Sequence, residues 1–164
     1  IHSVESAARV AKEGFNVISL DSAEETRTYV DAYRAAWHED NCIEVPEPCI
    51  GLSYFIVMAE DEDEALAVAR RSYPVWHKSF NSLFKLYGTV PRHQRPGDFD
   101  GIVAEGRAIA GTPETVTAFL KDACETSAIN YLVGQFTFGD QSYAESERTI
   151  RLFAEHVMPV LKEM

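Results

Sequence analysis

Lysine and arginine are scarce in this chain. They number 15 against 26 Asp and Glu in 164 residues, a formal net charge of −11. That shortage argues against nucleic acid or an anionic membrane as the main partner, because both need clustered cations; a local phosphate site stays open. Cysteine is rarer still, at three. Cys42 and Cys49 stand close together and Cys124 far off, which is no zinc spacing. The first two can bridge a loop as a disulfide or remain reduced, and reduced thiols fit an expected cytoplasmic location. No apolar run reaches the length of a membrane span, and no secretory leader is expected. No Gly-x-Gly-x-x-Gly follows any candidate strand, so a Rossmann dinucleotide site has no support. An initiating Met is missing too: the chain opens on Ile1. We expect either processing or a piece of something longer.

What is present is ordinary for a globular domain, with 46% hydrophobic and 25% charged residues. A single domain over residues 1–164 is expected. Residues 3 to 13 read as a helix, with Ser3 as a possible N-cap and Gly14 as a stop. Phe15 to Leu20 reads as a buried strand, and Asp21-Ser22 opens a second helix with Tyr29, Val30, Tyr33, Ala36 and Trp37 on one stripe. Asn41 to Pro48 is a loop. Gly51 to Ala59 is apolar on both faces and reads as a central strand. The acidic run Glu60 to Glu64 then offsets the dipole of a helix that reaches Pro74. A further helical segment is expected over Val75 to Tyr87, and residues 88–106 are expected to form an irregular loop.

Gly111-Thr112-Pro113-Glu114 is the clearest helix start. Gly turns the chain off the strand ending at Ala110, Thr caps, Pro suits the first helical position, and Glu faces the positive dipole end. A helix to about Thr126, a strand near Asn130 to Phe136, a turn at Gly139-Asp140 and a helix to about residue 163 follow. Pro159 is expected to kink or end that last helix. Strands alternating with helices imply parallel β-structure. The expected fold is α/β: a partial (β/α)8 barrel of about four strands, where a closed barrel takes about 250 residues.

At this point the residues resemble the bacterial luciferase-like flavin-dependent monooxygenases. The resemblance is carried by Gly111-Thr112-Pro113-Glu114, by Gln135-Phe136 and by the tail Ile150-Arg151-Leu152-Phe153-Ala154-Glu155-His156-Val157-Met158-Pro159. Val30-Asp31-Ala32-Tyr33-Arg34-Ala35-Ala36-Trp37 and Val57-Met58-Ala59-Glu60 also resemble that family. It implies the C-terminal half of a TIM barrel that binds reduced FMN and uses oxygen to oxidise a small organic substrate. A sister branch binds a deazaflavin and transfers hydride without oxygen. A non-catalytic flavin-binding or scaffold half barrel is the remaining alternative.

The resemblance places the flavin phosphate at Ser3 and Ser6, with the backbone N–H of His2 as a further donor. A helix start with hydroxyls at i and i+3 suits an anion; a plain N-cap at Ser3 with a solvated Ser6 is the other reading. The family's catalytic groups lie in the other half of the barrel and have no match here. Other clusters are open in the same way. Tyr73, Trp76, Phe80, Phe84 and Tyr87, with His77 beside them, can wall a pocket or pack a helix. Arg92, His93 and Arg95 can form an anion-binding lid or a solvated loop. Gln135 and Thr137 sit where barrel strands end and can line a pocket. Four parallel strands leave open edges, so a homo-oligomer that buries them is expected.

Overall fold

The computed structural model describes residues 1–40 and 46–164. Four strands alternate with helices: α1 (Val4–Lys12), β1 (Val17–Ser19), α2 (Ala23–Asp40), β2 (Ile50–Met58), α3 (Glu62–Phe80), α4 (Ser82–Leu86), α5 (Phe99–Ala104), β3 (Ala108–Gly111), α6 (Pro113–Ser127), β4 (Tyr131–Gln135), α7 (Tyr143–Leu152) and α8 (Met158–Lys162). The sheet has the order β1-β2-β3, and β4 also pairs with β2. β1 runs parallel to β2 with Val17 opposite Ile50, and β2 parallel to β3 with Phe55 opposite Ala108. This is the expected partial barrel in class and alternation, although consecutive order would have set β4 beside β3. The Asn41 to Pro48 loop and Cys42, with its candidate pairing to Cys49, fall largely or wholly outside the described residues.

Two compact units emerge. The first comprises residues 1–54 and 120–134. Its core is Ala7 and Ala11 of α1, Val30, Tyr33, Ala36 and Trp37 of α2, and Val17 and Ile50 of the strands. Small residues on α1 let the bulky stripe of α2 close on it, so α1 is held by packing and not by propensity alone. Gly14 stops α1 at φ +68°, with the Trp37 ring 3.3 Å from where a Cβ would sit. The Tyr33 hydroxyl donates to the Phe15 carbonyl at 2.7 Å. Phe15 itself lies 60% exposed, outside the strand that the apolar run suggested.

The second unit comprises residues 55–119 and 135–164. Phe55, Val57, Val68, Tyr73, Phe99, Ile102 and Phe138 dominate its core. Phe55 meets Tyr73 and Phe138 edge-on at 5.3 and 5.1 Å between centroids. Three details differ from the sequence reading. α3 passes through Pro74 and ends at Phe80, because Tyr73 packs in the core on one side of the proline and Trp76 packs against that core on the other. Residues 99–104, read as part of an irregular stretch, form α5: Asp98 caps it by accepting from the Gly101 N–H at 2.8 Å, while Phe99 and Ile102 are buried. In the last helix a π-turn spans Phe153–Val157, just ahead of Pro159, and absorbs the interruption that a proline makes. Thr149 Oγ1 accepts from the buried Met58 N–H at 3.1 Å and donates to Met58 O at 3.3 Å. Among the described residues no helix is long and apolar enough to cross a membrane.

Candidate functional site

The start of α1 lies at the head of the first unit. Ser3 adopts extended geometry (φ −166°, ψ 155°), and its Oγ accepts from the Ser6 N–H at 3.2 Å. The Ser3 hydroxyl donates to Ser6 Oγ at 3.1 Å. Ser3 is therefore the expected N-cap, and Ser6 is tied to it and not merely solvated. The N–H groups of Val4 and Glu5 have no intrahelical partner, as in the first turn of any helix. The turn thus presents backbone donors and a hydroxyl beside a positive dipole end.

Beside it stands a buried polar chain that sequence reasoning did not assemble. Asp21 follows the C-terminal end of β1, and its Oδ2 lies 2.8 Å from His2 Nδ1. The same oxygen accepts from the Tyr29 hydroxyl at 3.3 Å. The Asp21 N–H donates to Ser19 Oγ at 3.2 Å, and the Thr26 hydroxyl donates to that same oxygen at 2.8 Å. Ser19, Asp21 and Thr26 are all buried. Burial, then the Asp21 and Glu25 charges, push the Tyr29 phenol up to about 12. Tyr29 therefore remains a neutral donor at physiological pH. Tyr29 reads in the sequence as an apolar stripe residue and Asp21 as a helix opener; Thr26 and Tyr29, three apart on α2, were the available signal. The Tyr29 and Thr26 hydroxyls are thus committed within the protein, and Asp21 and Glu5 place negative charge near the helix start.

A second helix start, that of α6, makes an instructive control. Its first turn is already filled by a carboxylate from within the protein. Glu62 Oε2 accepts from the Thr112 N–H at 3.0 Å and from the Thr115 hydroxyl at 3.1 Å. A Cβ on Gly111 would come within 2.8 Å of both Glu62 carboxylate oxygens. The glycine of Gly111-Thr112-Pro113-Glu114 thus makes room for an internal anion. No spacing in the sequence links Glu62 to a turn 50 residues away.

The remaining candidates lie in the second unit. Tyr73 is buried, and Trp76 packs on Phe55 at 4.7 Å and stacks on Phe80 at 5.1 Å. Tyr73 and Trp76 are therefore packing residues, while Tyr87 is exposed. The Arg95 guanidinium lies 5.6 Å over Trp76 and 5.3 Å over Phe80. The Arg95 carbonyl lies 3.1 Å from His77 Nε2. A cavity of about 350 Å³ has Thr137, Gln141, Tyr143, Ile150 and Arg151 in its wall; Gln135 does not line it. Among the described residues no group of three or more His, Cys, Asp or Glu is placed to hold a metal ion.

No protein-family model matches this sequence, and no curated protein matches it. Solved structures do. A monooxygenase from Streptomyces bottropensis, RslO1, is 28% identical with a TM-score of 0.72, over 98% of this chain and 46% of its own. The oxygenating constituent of 3,6-diketocamphane monooxygenase from a Pseudomonas putida plasmid, solved in complex with FMN, is 18% identical with a TM-score of 0.66, over 94% of this chain and 45% of its own. The coenzyme F420-dependent tetrahydromethanopterin reductase of Methanopyrus kandleri is 15% identical with a TM-score of 0.62, over 98% and 49%. The chain spans about half the length of each of these neighbours. The resemblance to luciferase-like oxidoreductases holds at the level of the fold.

Proposed function

We propose that this chain is the phosphate-holding part of a flavin-dependent monooxygenase, one that uses reduced FMN and oxygen to oxidise a small organic substrate. The observation that carries this reading is the likeness to RslO1 over nearly the whole chain. The start of α1 supports it. In this reading the Val4 and Glu5 N–H groups and the hydroxyls of Ser3 and Ser6 hold the flavin phosphate, and the His2 N–H adds a donor. The imidazole of His2, held by Asp21, sets positive charge beside that anion when protonated. Tyr29, kept neutral, holds Asp21 in place. Bound reduced flavin supplies the electrons for oxygen chemistry.

The F420-dependent neighbour supports a second reading, hydride transfer with a deazaflavin. A non-catalytic flavin-binding or scaffold half barrel is the third. Oxygen uptake separates them. The leading reading predicts substrate-dependent oxygen consumption with reduced FMN and a panel of aldehydes and ketones. The second predicts none, but oxidation of reduced deazaflavin in its absence. Flavin binding without either reaction leaves the third.

A further inference from the structure

Asp21 is a buried carboxylate, and burying a negative charge calls for a cation or several donors. Arginine serves Glu47 and Glu145, and its charge is fixed. Asp21 is paired with the imidazole of His2, whose charge is not. The contact joins His2 Nδ1 to Asp21 Oδ2 at 2.8 Å. An ionised carboxylate only accepts, so the Nδ1 proton stays in both charge states and Nε2 is the nitrogen that titrates. The His2 side chain is 27% exposed against 9% for Asp21, so the ring is open to proton exchange while the carboxylate is shut in.

The pair adjoins the start of α1, because His2 directly precedes the N-cap Ser3. It is neutral with the imidazole protonated and carries a single negative charge without that proton. The charges around it do not hide the change. Glu5 stands in the first turn of α1. The Glu25 charge, on α2, acts on Tyr29, and the Tyr29 phenol stays neutral while it donates to Asp21 at 3.3 Å. The Ile1 ammonium donates to Ile18 O at 2.8 Å and feels the Asp21 charge as well. With Glu5 and Glu25 ionised, a neutral His2 leaves acidic ground beside the helix start. A protonated His2 adds the cation that an incoming phosphate needs.

We propose that phosphate capture at the start of α1 is coupled to protonation of His2, with Asp21 as the positioning residue that holds the imidazole. This coupling rests on the flavin-phosphate reading of the site and adds its regulation: the phosphate is seated as Nε2 takes up a proton and let go as that proton leaves. An anion beside the ring favours the imidazolium, and by linkage the imidazolium favours the anion to the same degree. Affinity for a phosphorylated flavin therefore falls as pH rises, while riboflavin, which lacks the phosphate, is indifferent.

Calorimetric titration of the whole chain with FMN and with riboflavin, from about pH 6.5 to 8.5, tests the coupling; a phosphate monoester stays mostly dianionic over that range, its second pKa lying near 6. The FMN-to-riboflavin affinity ratio should fall about fivefold or more across the range. In buffers of different ionisation enthalpy, FMN binding should show proton uptake and riboflavin binding none. His2→Gln should hold the ratio flat at its high-pH level and abolish the uptake. His2→Lys, with a fixed charge, should hold it flat near its low-pH level. Asp21→Asn should move the fall to lower pH, a shift that a merely structural role would not produce. A wild-type ratio above one that is constant with pH, or a fall that survives in His2→Gln, overturns the coupling and leaves the phosphate seat standing. A ratio of one at every pH overturns both.

Discussion

The starts of α1 and α6 use the same grammar to opposite ends. Both are capped by a hydroxyl residue, and both have a second hydroxyl residue three positions on. At α6 the anion is built in: Glu62 takes the Thr112 N–H and the Thr115 hydroxyl. At α1 the two serines bond to each other, and the nearest buried carboxylate, Asp21, is turned to His2 and Tyr29. Other helix starts resemble α6 in satisfying themselves. Ser142 and Glu145 close a capping box on α7, Ser22 and Glu25 do the same at α2, and Asp61 and Asp98 cap α3 and α5. A helix start supplied with its own carboxylate is a fastening. One dressed in hydroxyls can hold an anion brought from outside.

Breaking the α6 fastening should have the largest effect on stability. Glu62→Ala removes two charge-assisted hydrogen bonds and is expected to cost about 2 kcal/mol, read by urea denaturation. If the loss is nil, Glu62 is not what holds that turn. Gly111→Ala crowds the Glu62 carboxylate without removing it, and about 1–2 kcal/mol should be lost; in a Glu62→Ala background the same change should cost less, because the two closest contacts are gone and only Thr115 Cγ2, 3.0 Å from the added Cβ, remains. Ser3→Ala sharpens the other side of the comparison. It removes an N-cap and should cost about 1 kcal/mol, whereas Ser6→Ala should stay within about 0.5 kcal/mol in thermal unfolding. The smallest effect is electrostatic. Arg71 and Ser142 hold the Glu145 carboxyl down to about 2. A carboxyl depressed on folding stabilises above its unfolded value near 4.5, and the gain fades as pH falls toward 2. With Arg71 47% exposed, solvent screening keeps this below about 1 kcal/mol. The acid limb of the stability curve should flatten slightly in Glu145→Gln.

Much of this comparison was legible in the sequence, and its limits have physical causes. Local signals carried far: Thr112-Pro113, Ser3 and the acidic run ahead of α3 announce helix starts because capping and dipole effects act within one turn. Strands β2 and β3 were clear from short apolar runs. Pro74 misled, since core packing around it outweighs the lost hydrogen bond. α5 was hidden because it is short and begins in a stretch of glycine and proline. The partners of the candidate site escaped for another reason. Glu62 with Thr112, and His2 with Asp21 and Tyr29, are meetings that only the fold arranges. Tyr29 was doubly disguised, with an apolar ring in the helix stripe and a polar tip on Asp21.

The central claim is that the α1 start is a seat for a flavin phosphate, and paired calorimetric titrations with FMN and riboflavin test it most directly. The two ligands share a ring system and differ in the phosphate, so their affinity ratio isolates that group. The account predicts FMN binding at least about tenfold tighter than riboflavin, with the ratio falling toward one in Ser3→Ala with Ser6→Ala, a change that leaves riboflavin affinity alone. Equal affinities in the wild type, or a ratio untouched by the double substitution, would contradict it.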